Sequence, residues 1–88
     1  MNGQIEMVKS AVKKWYRTNA EGRCGACEDC SFYMLRGEAY LRPGGHLCCE
    51  RCTDELLGMT NWTEALPDMD RYFGPGVPQN IVNMARGR

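Results

Sequence analysis

The sequence is poor in residues that usually build a hydrophobic core, and it has no long apolar run. Its 88 residues include only two phenylalanines, against ten glycines and four prolines. A chain of this length forms one domain at most, and domains this small often need a metal ion, disulfide bonds or a partner to complete a stable core. We therefore predict a single domain over residues 1–88 that depends on such a support.

We also expect neither a secretory signal nor a membrane span. The N-terminal segment MNGQIEMVKSAVKKWYRTN is interrupted by lysines and contains no unbroken apolar stretch. We therefore expect a cytoplasmic protein with no membrane partner. Disulfides are rare in that compartment, where paired CxxC sequences typically bind metal instead. The six cysteines are accordingly expected to be metal ligands or free thiols.

The chain has no net charge, but its charges are unevenly distributed. Residues 1–23 carry five basic and two acidic side chains, residues 24–70 carry three and nine, and residues 71–88 add three arginines. Contacts with phosphate require clustered lysine and arginine. The acidic middle of the chain therefore argues against a polyanion-binding surface there.

Periodicity predicts helices at both ends of the chain. From Ile5 to Arg17 apolar residues recur at steps of three and four, so residues 1–22 are assigned to an amphipathic N-terminal helix that ends near Gly22. Residues 59–88 are predicted to hold short helices and loops. Asn61 and Glu64 have capping-box spacing, and Pro78 is expected to begin a last helix.

The middle of the chain, residues 23–58, is predicted to be a β-hairpin or a pair of short strands, followed by a helix. SFYML and AYL have strand-like content, and RGE and RPGG are turn signals. CERCTDELLG then changes to helical character, with Gly58 expected to end the helix.

The most specific motif is a pair of CxxC sequences that enclose this hairpin. They are separated by 21 residues and consist of Cys24, Cys27, Cys49 and Cys52. Zn²⁺ prefers four tetrahedral ligands, and thiolates suit it. Two such pairs, the second entering a helix, are typical of a treble clef or zinc ribbon. We predict a small α+β domain stapled by one structural Zn²⁺ on these four cysteines, with a treble-clef-like core of knuckle, hairpin and helix.

Three further side chains compete for the metal. Cys30 forms a second, overlapping CxxC with Cys27, and His46 precedes Cys49 at an H-x2-C spacing. Cys30 and His46 are therefore the predicted substitutes for one of the four ligands. Cys48 is expected to be a small buried hydrophobe. A cluster of two metal ions is the third and least favoured ligand arrangement, because no cysteine or histidine follows Cys52 to complete a second site.

The segment FYMLRGEAYLRPGGHLCCERCTDELLGMT resembles a group of small uncharacterised bacterial and phage proteins. Their pattern is a CxxC, an aromatic-Tyr-Met run and an LCxxCxExxLGxxLT segment. Tyr33-Met34 match the middle element, and Cys49, Cys52 and Leu57-Gly58 match the last. The resemblance covers residues 24–66, and the chain departs from it at Cys48 and at Thr60-Asn61. It implies a zinc-binding fold and a phage or mobile-element setting, and it implies no activity.

Catalysis is the less favoured interpretation of the predicted zinc. A catalytic zinc needs an open coordination position and a nearby general base, whereas four cysteines close the site. HNH-type nucleases also use two CxxC pairs, but they need a histidine base in the hairpin and further ligands near the helix. This chain has a single histidine, beside the second pair, and Thr53 follows that pair. We predict that the protein is not an enzyme, with an HNH-like nuclease as the least favoured alternative.

Two binding functions remain. The first is a protein-interaction module, a small phage or mobile-element regulator that binds a host protein. Its candidate surface is the exposed face of the N-terminal helix, Trp62 and the Tyr72-Phe73 pair, although core packing is the favoured role for Trp62 and Phe73. The second is nucleic-acid binding through basic residues near the termini. These basic residues are Lys9, Lys13, Lys14, Arg17, Arg23, Arg86 and Arg88. A homodimer through the apolar stripe of the helix is compatible with both.

Overall fold

The computed structural model describes residues 2–87, which form a helical frame around two small antiparallel sheets. In chain order the elements are α1 (Asn2–Asn19), β1 (Gly25–Ala26), β2 (Tyr33–Met34), β3 (Tyr40–Arg42), β4 (His46–Cys48), α2 (Glu50–Met59), α3 (Trp62–Ala65), a 3₁₀ turn (Leu66–Asp68), α4 (Met69–Phe73) and α5 (Gln79–Ala85). The predicted small α+β architecture is confirmed. Within this range no helix is both long and apolar enough to cross a membrane.

Helix α1 is the amphipathic N-terminal helix that the periodicity predicts; it extends beyond the apolar stripe from Ile5 to Arg17 at both ends and stops before Gly22. Val8, Val12 and Tyr16 are buried, and the helix packs against β3 and α5. Lys13, at the edge of the apolar face, binds Glu50 at 2.9 Å and Asp54 at 2.8 Å on α2. The hydrogen bonds from Lys13 to Asp54 and Glu50 raise the pKa of its ammonium group. α1 is therefore joined to α2 by charge as well as by apolar contact.

The strands pair differently from the predicted single hairpin. β2 pairs back with β1, and β3 pairs with β4 with Tyr40 opposite Cys48. The RPGG turn closes the second hairpin, because Gly44 and Gly45 adopt φ values of 93° and 87°, which glycine reaches without steric cost. In the first hairpin Ser31 turns the chain at φ 68°, and its N–H donates to the Cys27 carbonyl at 2.8 Å. Each hairpin therefore has its own turn.

Helix α2 begins at the second cysteine pair and ends beyond the predicted stop. Gly58 lies inside the helix, so the prediction that it ends α2 is wrong. The Thr60 hydroxyl donates to the Leu56 carbonyl at 2.8 Å and satisfies one of the last free carbonyls. Asn61 then caps α3 as predicted, since its side chain accepts from the Glu64 N–H.

Trp62 belongs to the core of the C-terminal half and not to the surface. Its ring stacks on Phe73 at a centroid distance of 5.1 Å, and its Nε1–H donates to the Leu57 carbonyl at 2.8 Å. The structure therefore shows the core role that the sequence analysis favoured for Trp62. The alternative prediction, that Trp62 lies on a binding surface, is corrected. The C-terminal helix α5 returns to the start of α1, where the Gln4 side-chain amide donates to the carbonyls of Met84 and Ala85.

Candidate metal centre

Four cysteine sulfurs converge where the first hairpin meets the start of α2. The sulfur atoms lie within 4.8 Å of one another and belong to Cys27, Cys30, Cys49 and Cys52. Cys30 Sγ and Cys49 Sγ are 3.6 Å apart. A tetrahedral zinc ion with ideal Zn–S bonds separates its sulfurs by about 3.8 Å, whereas a disulfide requires about 2.0 Å. The spacing therefore fits four ligands of one metal ion and not a disulfide, and all six cysteines are free.

The structure replaces Cys24 by Cys30 in the predicted ligand set. Cys24 is exposed and precedes β1, outside the cluster, while the overlapping pair Cys27-x2-Cys30 supplies the first two sulfurs. The physical reason is the position of the turn. Gly25 and Ala26 are extended in β1, so Cys24 lies before the strand, whereas the chain reverses after Cys27. The polar pair Glu28-Asp29 was the sequence signal for this turn.

Backbone N–H groups surround the sulfur of Cys27. Burial opposes ionisation of this thiol, but hydrogen bonds from the backbone of Cys49, Cys30 and Asp29 outweigh it and lower the pKa of Cys27 to about 6. N–H donors stabilise a thiolate, the form of cysteine that binds metal. The pKa of Cys52 is raised instead, first by burial and then by hydrogen bonds with the thiols of Cys30 and Cys49. Four sulfurs this close cannot all ionise unless a cation compensates their charge.

The other two sulfurs are positioned by the first turn of α2. Cys49 is the N-cap residue, and its sulfur accepts from the Cys52 N–H at 3.5 Å. The N-terminus of a helix presents free N–H groups and partial positive charge, both of which favour thiolates. The cluster thus links the first hairpin to α2.

His46, the other predicted substitute, does not join the four sulfurs. Its Nε2 lies 2.9 Å from Asp29 Oδ1, and the buried Cys48 thiol donates to Asp29 Oδ2 at 3.5 Å. Burial is the main cause that raises the pKa of the Cys48 thiol to about 12. Cys48 is buried as predicted, and it contacts a carboxylate as well as the core.

Two residues of the predicted basic surface are paired within the chain, while Lys14, Arg17, Arg23 and Arg86 are exposed. Lys9 pairs with Glu6 at 3.2 Å, and Lys13 is held between two carboxylates of α2. Arg88, which the nucleic-acid hypothesis includes, lies outside the described residues.

An exposed apolar surface that the sequence analysis missed lies beside the cysteine cluster. Phe32, Tyr33 and Leu35 are 59%, 60% and 62% exposed, while Met34 between them is fully buried. Side chains alternate between the two faces of a strand, so in β2 Met34 projects into the core and Tyr33 away from it, while Phe32 and Leu35 flank the strand. We call these three side chains the hairpin patch. Strict alternation along FYML leaves two of its four side chains on each face, so it does not predict a patch of three.

Comparison of the chain with protein-family models, with curated proteins and with solved structures gives no match. The resemblance to small bacterial and phage zinc proteins therefore stays a prediction, and the functional argument depends on the geometry of the residues themselves.

Proposed function

We propose that this protein is a non-enzymatic interaction module, braced by one structural Zn²⁺, that binds another protein through the hairpin patch. The observation that carries the proposal is the closed set of four sulfurs next to three exposed apolar side chains. A metal ion on the four sulfurs would stabilise this small fold. The hairpin patch leaves apolar side chains in water, and a bound partner would bury them.

The choice of zinc follows from the ligand chemistry. Thiolates are soft ligands, and a tetrahedral set of four is typical of structural Zn²⁺. The order of elements also supports the finer assignment to a treble clef. A cysteine turn in the first hairpin is followed by the β3–β4 hairpin and then by a helix whose N-terminus carries the second cysteine pair. This is the layout of knuckle, hairpin and helix that defines that fold group.

A structural role for the ion favours binding over catalysis. Four protein ligands leave no coordination position for water or substrate, so the ion would not activate a nucleophile. The hairpin patch in turn favours a protein partner. Phe32, Tyr33 and Leu35 are large, more than half exposed and close together in sequence, and exposed apolar side chains that cluster commonly mark protein interaction sites. The resemblance to phage proteins favours a host protein as the partner.

The test is affinity capture from a lysate of the source cells, followed by binding of the purified captured protein. The double variant Phe32→Ser/Leu35→Ser removes two side chains of the hairpin patch without touching the core. We expect it to weaken binding by about 100-fold, the effect of losing two interface anchors, while its melting temperature stays within a few degrees of the wild-type value.

The matched control is Met59→Ser, because Met59 is 84% exposed on α2 and lies outside the patch. This variant should bind like the wild type. Equal binding by the double variant would contradict the proposal. Capture of nucleic acid, lost at high salt and in a Lys14→Gln/Arg17→Gln variant, would contradict it in favour of the nucleic-acid hypothesis.

A further inference from the structure

A second group of metal-ligating side chains lies next to the four-sulfur cluster. Asp29, His46 and Cys48 place a carboxylate, an imidazole and a thiol within 4.8 Å of one another. His46 Nε2 is 2.9 Å from Asp29 Oδ1, and Cys48 Sγ is 3.5 Å from Asp29 Oδ2. A tetrahedral zinc-type ion separates nitrogen from oxygen ligands by about 3.4 Å and sulfur from oxygen by about 3.6 Å. Small side-chain shifts would therefore give these atoms the spacing of metal ligands.

The backbone holds the three side chains in this arrangement. His46 and Cys48 are two residues apart on β4, so they project from the same face of the strand. Two hydrogen bonds hold the turn that carries Asp29 against the same strand. The Glu28 N–H donates to the Leu47 carbonyl at 2.9 Å, and Glu28 Oε2 accepts from the Leu47 N–H at 2.8 Å. Asp29 is thereby fixed opposite the other two ligands.

The group is buried on one side and open on the other. Cys48 is 1% exposed, whereas the side chains of His46 and Asp29 are 30% and 42% exposed. Solvent therefore reaches the two outer side chains, His46 and Asp29, but not the thiol. Glu28 Oε1 lies 3.8 Å from His46 Nδ1. This separation is longer than a hydrogen bond; a carboxylate that moved to within about 3 Å of Nδ1 would orient the ring with Nε2 toward a metal, as is common around ligating histidines.

We propose that Asp29, His46 and Cys48 form a second metal site that takes one exchangeable divalent transition-metal ion of the zinc class. The mixed sulfur, nitrogen and oxygen set suits zinc, cobalt and related ions, whereas Mg²⁺ and Ca²⁺ prefer oxygen ligands alone. Three ligands bind less tightly than four, so this ion exchanges while the one on the cysteine cluster stays. Three protein ligands leave a fourth position for water or a side chain of a bound partner. This site goes beyond the proposed function and does not depend on it.

The experiment titrates the full-length, zinc-loaded protein with Co²⁺ and counts ions by native mass spectrometry, with the near-ultraviolet thiolate-to-Co²⁺ absorption as a second readout. The expected species carries one Zn²⁺ plus one Co²⁺. His46→Gln should keep the Zn²⁺ and the circular dichroism spectrum but bind Co²⁺ more than about tenfold less tightly, since loss of even an outer-shell partner has that effect. Asp29→Asn, at an exposed turn position, should weaken Co²⁺ binding in the same way.

Cys24→Ser is the matched control, because Cys24 is exposed and lies outside both groups. It should bind Co²⁺ like the wild type. The proposal is overturned if the zinc-loaded wild type takes up no Co²⁺ at micromolar concentration, or if both His46→Gln and Asp29→Asn bind it undiminished. A species with Co²⁺ in place of Zn²⁺ would also overturn it, because that result reports exchange at the cysteine cluster.

Discussion

Replacing Cys49 with serine is expected to abolish tight metal binding and cooperative unfolding together. Cys49 supplies one of the four clustered sulfurs and also caps α2, so its loss removes a ligand and frees the first turn of the helix. Structural zinc contributes on the order of 10 kcal/mol to the folding of small zinc domains, which is as large as the whole stability of a domain of this size. Native mass spectrometry and a thermal melt followed by circular dichroism would measure both losses.

Cys48→Ser is the control for this experiment, because Cys48 is adjacent in sequence and buried but lies outside the four-sulfur cluster. After dialysis into metal-free buffer it should retain one tightly bound ion and a cooperative melt at a slightly lower temperature. Retention of the ion by Cys49→Ser would show that the ligand assignment is wrong.

Replacing Trp62 with alanine is expected to lower the free energy of unfolding by about 3–5 kcal/mol, the usual cost of truncating a buried aromatic side chain. The substitution removes the stacking on Phe73 and the hydrogen bond to the Leu57 carbonyl. Both contacts join α3 to neighbouring helices, so we expect the loss to affect the whole C-terminal half. Chemical denaturation of the metal-loaded protein measures the change.

Two further variants make the Trp62 result specific. Trp62→Phe keeps a stacking ring but loses the hydrogen bond and part of the buried ring volume, so it should cost about 1–3 kcal/mol, less than Trp62→Ala. Met59→Ala, at an exposed position on α2, should change the free energy of unfolding by less than about 0.5 kcal/mol. A Trp62→Ala protein with wild-type stability and impaired partner binding would instead support the surface role that the sequence analysis considered.

The parts of the fold governed by local sequence could be predicted. The apolar stripe from Ile5 to Arg17 identifies α1, and the capping residue Asn61 identifies the start of α3, because periodicity and caps act over three or four residues. The turn at RPGG could be predicted for the same reason, since its glycines reach backbone conformations that other residues avoid.

The pairing of strands and the choice of ligands depend on longer-range geometry. Two short apolar segments flank RGE, and the sequence alone does not show that β2 pairs back with β1 across the cysteine turn instead of forward with β3. The same pairing decides between Cys24 and Cys30, because both lie three residues from Cys27 and only the turn position brings one sulfur to α2. The exposure of the hairpin patch follows from that pairing as well.

The measurement that tests the central assignment most directly is the metal content of Cys30→Ser beside that of Cys24→Ser. Each protein is purified under reducing conditions and dialysed into metal-free buffer. Native mass spectrometry then gives the number of metal ions bound per chain. The structure places Cys30 in the cluster and Cys24 outside it. We expect Cys24→Ser to retain one tightly bound ion per chain and Cys30→Ser to lose it. Loss of the ion from Cys24→Ser, with full retention by Cys30→Ser, would contradict this account of the metal centre.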